Sequence, residues 1–210
     1  MTSHSTGSIA AASTAASTSS AAVDSFSKLL AFRHGIVHAL ILGRVAAFCP
    51  DFESYGEPCV TITQANLAKT FPYLREGAVI KAIHKLAEKG LLLHKPRQRS
   101  CNHPNKARWS YSVPKDVWKA AQHKLQYFKI EDAVAYGYRE AILLWVLEER
   151  LAAARAADPT VTGVEMSPTA LARTVPIGIS AISQKLKRLV EKGVIVKTVT
   201  KDWLAAHCLK

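Results

Sequence analysis

Five basic side chains are crowded into one short stretch of the chain, and their chemistry suits a polyanion. Between positions 95 and 108 every charged residue is a lysine or an arginine. Like charges at this density repel one another unless an anionic partner neutralises them. We therefore expect this stretch to run along nucleic-acid phosphates or to place an arginine in a narrow minor groove. The five residues are Lys95, Arg97, Arg99, Lys106 and Arg108.

The excess positive charge of the protein is concentrated around this stretch. The 210 residues carry 28 Lys and Arg against 16 Asp and Glu, a formal net charge of +12. Residues 61–119 hold 12 basic and 3 acidic groups, a net charge of +9, whereas residues 1–60 sum to −1 and residues 120–210 to +4. A localised positive field attracts nucleic acid or an anionic membrane surface. A solvated basic face that only aids solubility is the alternative.

Two related stretches predict helices that present further contact residues. Residues 69–90 read KTFPYLREGAVIKAIHKLAEKG, and residues 173–193 read RTVPIGISAISQKLKRLVEKG. In each, apolar residues at helical spacing predict a buried stripe and a polar outer face. Such a face can enter a major groove about 12 Å wide and reach base edges. The predicted contact residues are Arg75, Lys81, His84 and Lys85 in the first helix, and Ser180, Ser183, Gln184 and Lys187 in the second.

Different contacts with DNA are expected of these residues. Arg75 and Lys81 are expected to contact bases or phosphates, and Gln184 can pair bidentately with adenine. For each position, the alternative is an ordinary solvated helix residue.

The elements around these helices predict an α+β, mainly helical protein. Apolar residues between Ser25 and Phe48 predict an amphipathic helix that is interrupted or begins near Gly35. The order helix, strand, helix, turn, helix, strand, hairpin loop, strand is that of a winged helix-turn-helix module. The other predicted elements are a strand at 60–63, a helix capped by Thr63 that ends before Pro72, a helix from Arg75 closed by Gly90, and strands at 91–95 and 109–113.

The module is predicted to occur twice. GIVHALIL from Gly35 aligns with GYREAILL from Gly137, and KLAEKGLL from Lys85 aligns with RLVEKGVI from Arg188. A repeat at an offset of about 102 to 104 residues indicates duplicated units. The predicted bounds are a disordered tail rich in Ser, Ala and Thr over 1–24, a first module with a basic wing over 25–118, a linker helix over 119–134, and a second module with a short wing over 135–210.

Several other classes of protein are disfavoured by the sequence. No apolar run approaches the roughly 18 to 20 residues that span a bilayer, so we expect no membrane partner. The first 23 residues contain no Arg, which argues against a transit peptide. Four cysteines without a CxxC pair, and no secretory signal, favour reduced thiols in the cytoplasm.

The sequence also lacks the usual constellations of a catalytic or metal site. Cys101 and His103, with His94 nearby, match no common zinc-finger spacing, so no metal is expected. There is no GxxxxGK[ST] loop, and no carboxylate pair or Ser/Cys–His arrangement stands out. We therefore expect neither an enzyme nor a cofactor.

The run from Arg33 to Pro96 resembles the N-terminal winged-helix domains of phage and plasmid replication proteins of the replisome-organiser type. In these, a threonine-led helix ends in FP plus an aromatic residue, and the next helix closes with L-x-x-x-G-L-L. The second module departs from this pattern at Ile177. The residues that match are Phe71, Pro72, Tyr73, Leu86, Gly90, Leu91 and Leu92. The tandem layout is similar to that of plasmid initiators, which place both modules on one origin repeat.

The sequence thus predicts a protein that binds double-stranded DNA without catalysis, as a monomer or homodimer. The resemblance implies a replication initiator or replication control protein of a phage or plasmid, with replication or transcription proteins as further partners. A winged-helix transcriptional repressor is the alternative, because both use the same local contacts. A protein–protein interaction module built on the same fold is the alternative of another class, and binding of single-stranded nucleic acid is a further one.

Overall fold

The computed structural model describes residues 22–49, 60–96, 109–199 and 205–209. This part of the protein is α+β and mainly helical, as predicted, with small antiparallel sheets. Most of the predicted tail, residues 1–21, lies outside the described residues. So does the stretch 97–108, which holds four of the five clustered basic residues.

The first half of the chain begins with a strand and ends with a short helix. Its elements are β1 Val23–Ser27, α1 Lys28–His34, α2 Ile36–Phe48, β2 Val60–Ile62, α3 Gln64–Lys69, α4 Glu76–Glu88, β3 Leu93–Pro96, β4 Trp109–Ser112 and α5 Lys115–Ala121. The antiparallel sheet has the order β2-β4-β3, so β4 lies between the other two strands.

The second half repeats this order, and no helix follows its last described strand. Its elements are β5 Leu125–Lys129, α6 Ile130–Tyr136, α7 Tyr138–Ala157, β6 Val164–Glu165, α8 Pro168–Thr174, α9 Ile179–Glu191, β7 Ile195–Val199 and β8 Ala205–Leu209. The sheet order β6-β8-β7 again places the last strand in the middle.

Equivalent elements of the two halves lie at a nearly constant distance along the chain. β5 begins 102 residues after β1, and α9 begins 103 residues after α4. The break between the first two helices of each half is a glycine with positive φ, +93° at Gly35 and +105° at Gly137. Residues other than glycine almost never combine such φ values with the ψ values found at these two positions. The predicted interruption near Gly35 is therefore confirmed, but the helical region begins at Lys28 and not at Ser25, because residues 25–27 belong to β1.

The first strands of the two halves pair with each other. In the antiparallel β1–β5 sheet, Val23 lies opposite Lys129 and Ser27 lies opposite Leu125. The central residue, Ser25, lies opposite Tyr127, which is its own counterpart 102 residues later. This register is the one that a two-fold axis produces between equal strands. The strands thus meet as those of a symmetric homodimer would, within a single chain.

The paired strands form part of a core that is continuous between the halves. Phe26 and Phe128 are both fully buried, and their ring centroids lie 6.3 Å apart. Burying a side chain of this size stabilises a fold by about 1.5–3 kcal/mol. The core also takes in the buried residues of α2, α4, α7 and α9. The β1–β5 sheet is therefore a structural joint between the halves.

Two predicted boundaries are wrong. The linker helix expected over 119–134 is interrupted, because α5 ends at Ala121 and Leu125–Lys129 is strand β5. That strand depends on β1, a partner far away in sequence, which local periodicity does not reveal. The predicted tail over 1–24 also runs too far, since Val23 and Asp24 belong to β1. The predicted module bounds of 25–118 and 135–210 consequently cut β1 and omit β5.

Candidate nucleic-acid interface

Helix α4 carries all four of its predicted contact residues on the exposed side. Arg75 is the N-cap residue, and Lys81, His84 and Lys85 follow within the helix. The helix packs on the core through an apolar stripe at helical spacing. The buried residues of that stripe are Val79, Ala82, Ile83 and Leu86. The exposed surface thus combines four basic or titratable side chains with the acids Glu76 and Glu88.

Helix α9 matches α4 position by position. Both helices have 13 residues, and Lys81 and Gln184 are the sixth residue of each. The apolar stripe of α9 consists of Ile182, Leu186 and Leu189. The four predicted contact residues of this helix, Ser180, Ser183, Gln184 and Lys187, are exposed. The two sets of predicted residues therefore lie on equivalent faces of equivalent helices.

Both helices end in the same way. Gly90 and Gly193 have φ of +66° and +68°. The Leu91 N–H donates to the Leu86 carbonyl, and the Val194 N–H donates to the Leu189 carbonyl, each at 3.0 Å. These are the bonds of a Schellman motif, which satisfies carbonyls that the helix leaves free. The predicted C-terminal role of Gly90 is confirmed, and the motif fixes how the chain leaves each helix toward its hairpin.

A short helix braces each of the two longer ones. α3 packs against α4, and α8 packs against α9. Thr63 and Ser167 cap the bracing helices, accepting hydrogen bonds from the Asn66 and Ala170 N–H groups at 3.1 Å. Each such cap stabilises a helix by about 1 kcal/mol. The cap predicted at Thr63 is confirmed, and the two caps set where the bracing helices begin.

In the first half, a buried carboxylate holds this turn. Asp24 on β1 is 9% exposed and accepts hydrogen bonds from the Arg44 guanidinium at 2.8 Å and from the Tyr73 hydroxyl. Burial, and then the Asp24 charge, raise the pKa of Tyr73 well above its ordinary value, so the hydroxyl stays a neutral donor. Because Tyr73 lies between α3 and α4, the network ties the start of α4 to β1 and α2.

The second half replaces this network with uncharged residues. The counterparts of Asp24, Arg44 and Tyr73 are Gln126, Val146 and Ile177, at offsets of 102 to 104 residues. Ile177 is buried at 6% exposure. The departure of Ile177 from the aromatic pattern thus coincides with the absence of an acid on the neighbouring strand.

An ion pair that sequence analysis did not identify fixes α9 instead. The Lys185 ammonium lies 2.7 Å from Glu140 Oε1, and the two side chains are 19% and 6% exposed. Glu140 is in the first turn of α7, and its carboxylate would lie 2.9 Å from a Cβ placed on Gly137. The pair orients α9 on α7 and withdraws Lys185 from the exposed cations. The position of Glu140 at the head of the apolar run of α7 was a signal for its burial, although not for its partner.

A second ion pair on α9 holds its lysine less firmly. Lys187 and Glu191 are 3.8 Å apart with side chains 79% and 59% exposed. Exposed pairs of this kind contribute little and break readily in favour of another anion. Lys187 therefore remains able to contact phosphate.

The basic stretch is attached to the end of a hairpin. β3 and β4 pair as far as Pro96 opposite Trp109, so residues 97–108 connect two paired strand ends. The backbone of Lys95 belongs to β3. The other four members, Arg97, Arg99, Lys106 and Arg108, lie outside the described residues. In the second half, residues 200–204 separate β7 from β8.

Among the residues that the structure describes, no helix is both long and apolar enough to cross a bilayer.

Comparison of the chain with protein-family models, curated proteins and solved structures gives no match. The geometry of α4, α9 and the β3–β4 hairpin is therefore the basis for a functional assignment.

Proposed function

We propose that each half is a winged helix-turn-helix module and that the chain binds double-stranded DNA with α4 and α9 in major grooves. The observation that carries this proposal is the equivalence of the two exposed faces. Lys81 and Gln184, which differ in chemistry, occupy the sixth position of two braced helices of equal length. Residues on such a face can reach base edges when the helix enters the groove.

The charge distribution supports a nucleic-acid partner over a protein partner. The block 61–119, with its net charge of +9, includes α4 and the whole β3–β4 hairpin. In this proposal, α4 and α9 read bases, while Lys95, Arg97, Arg99, Lys106 and Arg108 neutralise phosphates. Phosphate contacts give affinity that does not depend on sequence and set the position of the protein on the duplex.

The symmetry of the β1–β5 joint supports a site with two inverted halves. The register of the strands that lead into the two modules is centred on Ser25 and Tyr127, as a two-fold axis between them would require. Major grooves on one side of a duplex recur about every 10 to 10.5 base pairs. One chain would accordingly cover roughly two turns of DNA, with the second half-site inverted relative to the first.

The biological role that we propose is initiation or control of replication in a phage or plasmid. It rests on the resemblance of residues 33–96 to replisome-organiser domains. A transcriptional repressor would use the same contacts, and mapping the DNA that the protein protects to an origin or to a promoter separates the two roles. Further partners would be replication or transcription proteins in the cytoplasm.

A salt titration with duplex DNA tests the binding function. We expect affinity to fall steeply with salt, with a log–log slope of about −0.9 for each phosphate neutralised. Replacement of Lys81 by alanine should weaken binding, by about 1–3 kcal/mol if this side chain contacts a base. Lys119→Ala removes the same charge from the exposed side of α5 and should have little effect.

The titration also tests the rival functions. A response to salt that stays flat would contradict the proposal and favour a protein-interaction module. Equal affinity for single and double strands in a competition assay would favour a single-strand binder.

A further inference from the structure

The first turn of α9 exposes a large apolar side chain. Ile179 is the first residue of the helix and is 50% exposed. The equivalent first residue of α4 is the exposed Glu76. An apolar residue at this position is therefore not required by the fold that the two halves share.

The exposed side of α9 around Ile179 is uncharged. Ser183 lies one turn after Ile179, and its hydroxyl donates to the Ile179 carbonyl at 3.1 Å. Ser180 and Gln184 are also exposed, whereas Lys185 is held by Glu140. The first six residues of α9 thus offer methyl groups and neutral hydrogen-bonding groups. They offer no free charge.

The same part of α4 is charged. Arg75, Glu76 and Lys81 are all exposed there. In a major groove, arginine and lysine favour guanine, and a carboxylate favours the cytosine amino group. Glutamine favours adenine, and apolar side chains favour the C5 methyl group of thymine. The two faces therefore match different base pairs.

We propose that Ile179 contacts a thymine methyl group, so that α9 reads an A·T-rich half-site while α4 reads a half-site containing G·C pairs. This inference rests on the proposed function, since it requires α9 to enter a major groove. It adds to that function a specificity residue and an unequal division of the site. The two halves of the site are then inverted in direction but different in sequence.

A thymine-to-uracil scan tests the contact, because uracil differs from thymine only in lacking the C5 methyl group. Duplexes selected by the full-length protein from a randomised pool are resynthesised with uracil at one thymine at a time. We expect one position in the α9 half-site at which uracil weakens wild-type binding by about fourfold, the value for losing the burial of one methyl-sized group. Ile179→Ala should weaken binding to the thymine duplex and be insensitive to uracil at that position.

The control for this scan is another exposed aliphatic residue. Val134 on α6 is 60% exposed and lies outside α4 and α9. Val134→Ala should show the full uracil effect. The half-site read by α9 is identified independently as the one in which Gln184→Ala relaxes base preference while Lys81→Ala does not.

The outcomes separate this inference from the proposed function. Suppose that the wild-type protein selects a duplex, but uracil weakens the binding of wild type and Ile179→Ala equally, or weakens the binding of neither protein. Either result would show that the thymine contact is wrong, while DNA binding stands. An A·T preference absent from both selected half-sites would also overturn it. If the wild-type protein binds no duplex even at low salt, the proposed function fails, and this inference with it.

Discussion

At the scale of single residues, the two halves hold the equivalent turns before α4 and α9 with different side chains. The turn before α4 is held by a carboxylate, a guanidinium and a phenol, whereas the turn before α9 is held by an aliphatic side chain. A buried carboxylate is costly unless its hydrogen bonds are complete. The first half should therefore be sensitive to the loss of a single hydroxyl group, and the second half should not.

Replacement of Tyr73 by phenylalanine tests this sensitivity. The variant removes one hydrogen bond to the buried Asp24 carboxylate while keeping the ring that packs on Phe128 with centroids 5.3 Å apart. We expect the free energy of unfolding to fall by about 1.5–3 kcal/mol, as for other hydrogen bonds to charged groups. Urea denaturation followed by circular dichroism measures the change. Tyr127→Phe makes the same chemical change at a ring that is 41% exposed and should cost less than about 0.5 kcal/mol. Equal losses in the two variants would show that Asp24 does not need the phenol.

At the scale of elements, the glycine between the first two helices of each half sets their direction. A Cβ on Gly35 would lie no closer than 3.9 Å to any atom of the protein outside its immediate neighbours, so the space is available. The φ of +93° is what excludes other residues. In a protein with another residue at position 35, the strain would therefore lie in the backbone dihedral angles and not in a steric clash.

Two glycine-to-alanine variants separate the effect of backbone strain from that of helix propensity. We expect Gly35→Ala to destabilise the protein by about 1–3 kcal/mol, the usual cost of forcing a side chain into a sparsely populated backbone region. Gly43 lies inside α2, where an added Cβ would have open space. Gly43→Ala should stabilise the protein by about 0.5–1 kcal/mol through helix propensity. Thermal unfolding of both variants measures the difference, and a stabilising Gly35→Ala would refute the backbone argument.

The elements also show what the sequence could and could not predict. Helices α4 and α9 were predictable because their apolar spacing, their following glycines and their repetition all agree. The faces that they expose follow directly from that spacing. Strand β5 was not predictable from local pattern, since its five residues gain strand structure by pairing with β1. The Lys185–Glu140 pair joins residues 45 positions apart in the chain, so no local spacing indicates it.

At the scale of the whole molecule, the halves are joined by a strand register that stays the same when β1 and β5 are exchanged. In a fragment containing residues 22–121, β1 would have no β5 to pair with. A second copy of the fragment can supply the same strand, with Ser25 opposite Ser25 and Val23 opposite Ser27. We therefore expect the fragment to form a homodimer through β1, as in other isologous interfaces. Light scattering coupled to size-exclusion chromatography measures its mass.

The control for the fragment experiment is a second fragment that starts at Lys28 and lacks β1. It should remain a monomer at concentrations where the longer fragment is dimeric. A longer fragment that is folded and monomeric at all accessible concentrations would show that the β1–β5 register does not encode self-association.

The pairing of β1 with β5 also has a consequence for synthesis on the ribosome. The N-terminal strand is translated first, but about 100 further residues must be made before its partner exists. At translation rates of about 5–20 residues per second, β1 of the nascent chain waits roughly 5–20 seconds. During that interval Asp24 and Phe26 lack their partner strand, and neighbouring nascent chains on one messenger RNA expose the same strand at high local concentration. A ribosome that crosses residues 28–125 more slowly would therefore lengthen the interval in which β1 can pair with the same strand of a neighbouring nascent chain.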